Sequence, residues 1–361
     1  MKTIDRYILT EFFRIFLLSL VTLIAFYEMV VFLDMVGYFV KFKATADEIS
    51  RFMLFKVPMA LFHVTPICVL MSSLLCVSQM SRYNELVAMK SSGMSMMRIS
   101  APILVASVGI SLLAFADSEY LFHLAAKETS RIYHEEIKKS PRKGLFGKEL
   151  LWYKADNGSI WNIEHMDWKK KELRGISIFV FDKTGHRLAS RMTASEGRLE
   201  NGEWVLEDFV ERKFLADGYF EEKKMKTRRF PGSMVPIEDL GKVKLNPEEM
   251  NLAQIRDYIR DIREKGYDDT RYTVDMHAKI AFPMISLVMP LIAIPMGKRS
   301  SRAGGALVGI GVAVVIGALF WFMFSMGVAF GHAGRIPPIL AAYGAHVVFA
   351  ASGTALMLSD R

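Results

Sequence analysis

Cysteine is almost absent from this chain of 361 residues, which contains only Cys68 and Cys76. Both lie in one apolar run, two helical turns apart, so we interpret them as core or lipid-facing residues rather than a disulfide. No cysteine–histidine cluster has the spacing of metal ligands, so no metal site is predicted. The cysteines therefore predict neither a covalent crosslink nor a metal centre.

Catalytic and nucleotide-binding patterns are also missing. The sequence His134-Glu135-Glu136 lacks the second histidine of a helical zinc-protease motif, and its carboxylates are typical of a solvated helix face. Gly147-Lys148-Glu149 lacks the glycine spacing and the following Ser or Thr of a phosphate loop. We predict that this chain is not an enzyme and holds no cofactor. Any ATP-driven work would need a separate ATPase to bind ATP and magnesium.

Apolar residues, in contrast, are abundant. The chain is 52% hydrophobic with a mean hydropathy of +0.22, although 23% of its residues are charged. Six apolar runs approach or exceed the ~20 residues that a helix needs to cross a bilayer. These runs are 15–36, 57–80, 99–116, 280–297, 303–331 and 336–358. A net charge of +8 would suggest nucleic acid for a soluble protein, but the excess of basic residues in cytoplasmic loops explains much of it here.

Basic residues in two short connections predict the orientation of these spans. The residues are Arg82, Lys90 and Arg98 after the second run, and Lys298, Arg299 and Arg302 after the fourth. Both connections and both termini should be cytoplasmic. The polar segment at about 118–275 should then lie outside, which is the periplasm if the source is a Gram-negative bacterium.

The middle of that polar segment has the pattern of β-strands. Residues 176–182 are rich in β-formers, residues 204–214 partly alternate, and turn signals such as Asn201-Gly202 recur between such segments. We predict an antiparallel sandwich or roll at about 141–245. The expected organisation is therefore helices one to three in 1–117, the outer segment in 118–275, and helices four to six in 276–361.

The connection between the second and third runs has the features of a short helix rather than a loop. Glu85 and Met89 recur at helical spacing, Arg82 precedes them, and Gly93 can end the helix. We predict a helix at about 82–93. A carboxylate in its first turn is compatible with the helix dipole and could meet an arginine of a partner, or could be only a solvated charge.

The first span carries two carboxylates, Glu28 and Asp34. Because such groups are costly in a membrane, they usually face a bundle interior or a wet cavity. Asp34 could simply pair with Lys41. Alternatively, Lys41, Lys43 and Lys56 could form a basic rim that attracts a phosphorylated head group.

Small residues repeat every four positions along the fifth span. They are Gly305, Gly309, Ala313 and Gly317. This spacing lets another helix approach closely. It favours either packing within the chain or a helix interface that slides or opens.

Taken in order, several short motifs resemble the LptF/LptG family of lipopolysaccharide export permeases. The motifs are Asp5-Arg6-Tyr7-Ile8, Phe32-Leu33-Asp34, 84–89 with Ser92-Gly93, Phe282-Pro283, Met289-Pro290-Leu291, Ile294-Pro295, Gly304-Gly305 and 337–342. The resemblance covers nearly the whole chain. The opening motif and the loop motif are more similar to the LptG branch than to the LptF branch.

The resemblance implies a fold, partners and a substrate. The fold would be a membrane α-helical protein with six transmembrane helices and an inserted periplasmic antiparallel β-jellyroll. The partners would be the paralogous permease LptF, a dimer of the ATPase LptB, and LptC, with lipopolysaccharide as substrate in the bacterial inner membrane. Residues 82–93 would be the coupling helix and Glu85 its acidic contact. Spans one and five, with Phe32, would line the lipid cavity and its gates.

Two other functions remain open at this point. A membrane scaffold could use the outer domain to sense a periplasmic ligand, and it would not stimulate a partner ATPase in response to lipid. An enzyme that modifies lipid head groups would depend on a single polar residue such as Glu28 or His346.

Overall fold

The computed structural model describes residues 3–139, 151–155, 158–167, 171–182, 187–200, 202–215, 219–232, 246–264, 268–300 and 306–359. The chain divides into two compact units. The helical unit consists of Met1–Lys139 and Asn246–Arg361, and the β unit of Ser140–Leu245.

The helical unit contains six helices that are long and apolar enough to cross a membrane, which confirms the six predicted spans. Short helices connect or extend them. The helices are α1 (Thr3–Phe42), α2 (Ala46–Arg82), α3 (Glu85–Ser91), α4 (Met96–Asp117), α5 (His123–Arg131), α6 (Leu252–Glu264), α7 (Thr270–Ser300), α8 (Ala306–His332) and α9 (Pro338–Ser359). The third span is longer than its apolar run, because π-helical turns at Ser118–Phe122 and Ile132–Ile137 join α4 to α5 and extend it to Ile137.

Local sequence signals set several helix ends. Lys43 ends α1 with a left-handed backbone (φ 53°). The Thr45 side chain accepts a hydrogen bond from the backbone N–H of Glu48, whose carboxylate in turn accepts one from the Thr45 N–H. This capping box starts α2 two residues after the turn. Ser95 caps α4 in a similar way, by accepting a hydrogen bond from the Arg98 N–H.

The core of the helical unit is built around α2 and α7. The spans differ in how much of their most apolar 18-residue stretch is buried. In α2 and α7, 78% and 67% of that stretch is buried, whereas the values for α1 and α8 are 11% and 22%. Close approach helps to bury them: a Cβ added at Gly297 of α7 would lie 2.6 Å from the Leu74 carbonyl oxygen of α2. The chain therefore covers its second and fourth spans and leaves most of the first and fifth exposed.

The β unit is a single antiparallel sheet in the residues that the structure describes. Its strands are β1 (Leu151–Lys154), β2 (Ile160–Asp167), β3 (Glu172–Phe181), β4 (Leu188–Glu200), β5 (Glu203–Phe214) and β6 (Phe220–Pro231). Their order in the sheet follows their order in the chain, so the described strands form a meander without a crossover. Residues 141–150 and 233–245 of the predicted jellyroll lie outside the described residues.

Two strands of the meander, β3 and β5, coincide with the segments that the sequence identified as strands. Gly202 has a φ of +80° in the tight turn from β4 to β5, a backbone that glycine adopts without steric cost. Trp161, Trp204 and Phe209 are fully buried in the apolar core of this unit. An inserted β domain with its own core is therefore confirmed.

Candidate functional site

The connection between α2 and α4 contains a helix that is shorter than predicted. Arg82 is the last residue of α2, and Asn84 then adopts a left-handed backbone (φ 59°) that separates α2 from α3. Asparagine tolerates this conformation better than most residues. The helix α3 covers Glu85–Ser91 rather than 82–93. Gly93, with a φ of +86°, follows its end as the sequence predicted.

One side of α3 is held against the rest of the helical unit. The Tyr7 hydroxyl of α1 lies 3.0 and 2.9 Å from the two carboxylate oxygens of Glu85, to which it donates. Leu86 is buried, and Met89 packs against the same apolar cluster. Met89, which we expected to contact a partner, therefore points inward. Outward-facing surface comes instead from residues that sequence reasoning did not single out, including Val87, which is 64% exposed.

Several contacts gather the N-terminus and the α3 connection at one end of the helical unit. Arg98 at the start of α4 forms a 2.7 Å ion pair with Asp5 of α1. The Ser81 hydroxyl lies 3.5 Å from the backbone carbonyl oxygen of Lys298 near the end of α7. The two basic connections used to predict orientation thus share one end, which is what the excess of basic residues in cytoplasmic loops requires.

The three lysines of the predicted basic rim differ in exposure and in surroundings. Lys41 and Lys43 are exposed at the end of α1. Lys56 is partly buried on α2, with its amine 5.7 Å from the centre of the Phe52 ring. Lys56 and Asp34 line a cavity of about 300 Å³. Neither Lys41 nor Lys43 lines this cavity. The alternative pairing of Asp34 with Lys41 is not found among the described residues.

Carboxylates surround Lys56 in and near this cavity. Asp34 lines the cavity from α1, and Glu248 and Glu249 line it from the turn before α6. Glu28 also lies on α1, and both of its carboxylate oxygens are buried without a hydrogen-bond partner in the described part of the chain. The site is therefore mixed in charge rather than uniformly basic.

A second polar cavity, of about 320 Å³, was missed by sequence reasoning. In it, His332 of α8 lies 2.7 Å from the Asp275 carboxylate of α7. Lys279, one turn further along α7, donates a hydrogen bond to the Met250 carbonyl oxygen. Glu248 borders this cavity as well as the first, so the two are adjacent. The available signal was the spacing of Asp275 and Lys279 at the start of an apolar run.

The predicted gate residues lie on different surfaces. Gly309 and Ala313 are buried in the helical unit, and Gly317 packs close to Ile67 of α2, so this face of α8 contacts its own chain. Gly305 lies outside the described residues. Phe32 is 39% exposed on α1. The exposed face of α8 is formed instead by large apolar residues, including Val315, Leu319 and Phe322.

These features define a multi-pass membrane protein in which, along the chain, an antiparallel β domain is inserted between the third and the fourth span. Across the described residues, no group of three or more His, Cys, Asp or Glu side chains is placed to hold a metal ion. The sequence model of the family described as "Lipopolysaccharide export system permease LptF/LptG" matches residues 6–359, and the chain belongs to this family.

Curated relatives agree with this assignment. The chain is 25% identical over 329 residues to a protein of Escherichia coli K12 named lipopolysaccharide export system permease protein LptG. The aligned region covers 89% of this chain and 87% of the relative. It is also 25% identical over 334 residues to the protein of the same name from Haemophilus influenzae. That aligned region covers 89% of this chain and 88% of the relative.

Proposed function

We propose that this chain is a permease subunit that moves lipopolysaccharide from the inner membrane towards the outer membrane. The observation that carries the proposal is the match of a permease family across residues 6–359. The names of both relatives give lipopolysaccharide as the exported molecule. The chain would work without catalysing a reaction itself.

The uneven burial of the spans supports a second permease as partner. An apolar helix in a membrane is covered by lipid or by another helix, and α1 and α8 are the least covered of the six. A paralogous chain of the LptF type would pack against these two helices. The lipid cavity would then lie between the two chains and would be lined from this side by Phe32 and Asp34, both of which are exposed on α1.

The α3 connection supports an ATPase partner at the cytoplasmic end. Tyr83 and Val87 are 70% and 64% exposed there, beside the carboxylate of Glu85. An apolar patch next to a charge fits a docking surface better than a loop that only reverses the chain. A dimer of the LptB type would bind ATP and magnesium, and its closure would push on α3. LptC would be a further partner of the assembled complex.

The proposed orientation in the membrane rests on the end of the helical unit that carries the basic connections. With α3 and the end of α7 in the cytoplasm, both termini are cytoplasmic and the β unit is periplasmic. The cavities around Lys56 and Lys279 then belong to the outer half of the helical unit. Lipid phosphates would meet these amines as lipopolysaccharide enters from the outer leaflet.

Affinity purification of the full chain from the native membrane in mild detergent tests the proposal. We expect a second six-span permease and an ATPase to co-purify, and lipopolysaccharide to stimulate ATP hydrolysis by the complex. A sensing scaffold would yield no lipid-stimulated ATPase. An enzyme would convert a lipid head group without any ATPase present.

A further inference from the structure

A groove of about 360 Å³ runs between the first part of α1 and the last part of α2. It lies at the end of the helical unit where Tyr7 meets Glu85, whereas both acid-lined cavities involve other parts of the helices. The lining residues recur at helical spacing on both walls. They include Glu11, Arg14 and Leu18 on α1, and Leu75, Ser78 and Arg82 on α2.

The groove changes from polar to apolar along its length. Because α1 leaves this end of the unit and α2 returns to it, Arg14 and Arg82 lie nearer the end than Leu18 and Leu75. Seven residues separate Leu75 from Arg82, which corresponds to about 10 Å along a helix. The groove thus has a charged mouth, formed by the arginines, and an apolar part, formed by the leucines. Its length matches a phospholipid head group together with the start of its acyl chains.

The polar groups in the mouth have no partners within the part of the chain that the structure describes. Arg14 and Arg82 make no hydrogen bond or ion pair there, and neither does Glu11. The Ser78 hydroxyl, which lines the groove, also has no partner among the described residues. Two arginines and one glutamate give the mouth a net charge of +1. A hydroxyl in the same groove as two unpaired guanidinium groups favours an anionic ligand with several acceptor oxygens.

We propose that this groove binds an anionic glycerophospholipid, whose phosphate meets Arg14 and Arg82 and whose acyl chain lies along Leu18 and Leu75. A guanidinium group can donate two parallel hydrogen bonds to a phosphate. The apolar part of the groove argues for a lipid over a soluble protein, because Leu18 is 71% exposed and belongs to the first apolar span. The orientation under Proposed function places this lipid in the cytoplasmic leaflet, opposite the leaflet from which lipopolysaccharide would enter.

Native mass spectrometry of the purified full chain in detergent tests the proposal, with phosphatidylglycerol and phosphatidylcholine as probes. We expect the unaltered chain to bind phosphatidylglycerol, which is anionic, more tightly than phosphatidylcholine, which has no net charge. The double variant Arg14→Gln/Arg82→Gln should bind it about tenfold more weakly or worse, because charged hydrogen bonds are lost. Each single variant, Arg14→Gln or Arg82→Gln, should also bind phosphatidylglycerol more weakly than the unaltered chain. The matched control for the single variants is Arg6→Gln, which removes one positive charge from an exposed position of α1 outside the groove. The variant Arg14→Lys/Arg82→Lys should retain part of the preference.

Equal binding of the two lipids by the unaltered chain would overturn the proposal, whether or not the variants fold. An equal loss in Arg6→Gln would also overturn it, because general surface charge would then explain the preference. If the double variant loses a co-purifying ATPase while its lipid preference is unchanged, the groove is a protein contact and the proposal is wrong. None of these measurements requires lipopolysaccharide export, so their failure is distinct from failure of the proposed function.

Discussion

The first two helices are similar in length and apolar character but opposite in burial. α1 has 40 residues and α2 has 37, and their most apolar stretches have mean hydropathies of 2.4 and 2.0. Yet 11% of that stretch is buried in α1 and 78% in α2. The more apolar helix is thus the less covered one, which would be unfavourable in water. Hydropathy identifies a span, but it does not say whether lipid, a partner or the same chain covers it.

The largest expected effect contrasts a glycine of buried α7 with one of exposed α8. Gly297→Val should prevent folding, because the first side-chain carbon would already approach the Leu74 carbonyl oxygen to 2.6 Å. Gly311→Val is the matched control, since no atom lies within 4 Å of a Cβ at that position. Yield and size-exclusion profile of the two variants measure the contrast. A well-folded Gly297→Val chain would contradict the described α2–α7 packing.

Two phenylalanines of α8 separate the contributions of the chain and of a partner. Phe320 is 2% exposed and Phe322 is 57% exposed. Phe320→Ala should destabilise the isolated chain by about 3–5 kcal/mol, measured by thermal unfolding in detergent. Phe322→Ala should leave that stability nearly unchanged and reduce co-purification of the partner permease. Equal destabilisation by both substitutions would show that the exposed face of α8 is covered within the chain.

The α3 connection offers a smaller but functional contrast. Glu85→Arg should weaken binding of the ATPase at least about tenfold, because a charge contact becomes repulsive. Tyr7→Phe leaves the Glu85 charge in place and removes only the hydroxyl that donates to it. Quantitative co-purification and lipid-stimulated ATP hydrolysis distinguish the two variants. Normal assembly and export by Glu85→Arg would exclude α3 as the coupling element.

The smallest expected effect is on lipopolysaccharide binding, and it separates a partly buried lysine from an exposed one. Lys56→Gln should lower the binding of lipopolysaccharide by roughly threefold to tenfold, because its amine lines the cavity. Lys41→Gln removes the same charge from the exposed end of α1 and should have little effect. Binding of labelled lipopolysaccharide to the purified complex measures both. A larger loss in Lys41→Gln would restore the basic rim expected from sequence.

Sequence predicted the parts of this fold that depend on local chemistry. The six spans follow from apolar runs of sufficient length, and the end of α3 follows from Gly93. Strands β3 and β5 follow from β-forming residues between turn signals, as the glycine at position 202 illustrates. These signals work because each lies within one helix or one turn.

Features that depend on which face meets which neighbour were not predictable. Met89 packs inward because α3 is anchored at Leu86 and at the Tyr7–Glu85 hydrogen bonds, and no spacing rule indicates that. Asp275 and His332 meet across 57 residues of sequence, and neither belongs to a motif. The small residues of α8 fitted packing within the chain as well as a sliding interface, and only the position of α2 distinguishes these alternatives.

The hydrogen bonds between Tyr7 and Glu85 have a mechanical consequence. At 1.5 Å per residue, the 40 residues of α1 form a rod of about 60 Å, roughly twice the thickness of the hydrocarbon layer. The rod contains no proline to absorb bending, and its one glycine is Gly37 near the far end. We therefore expect a displacement of α3 to be transmitted through Tyr7 to Asp34, about 40 Å away along the axis. A partner bound to α3 would be connected through α1 to the cavity that Asp34 lines, where we propose that lipid enters.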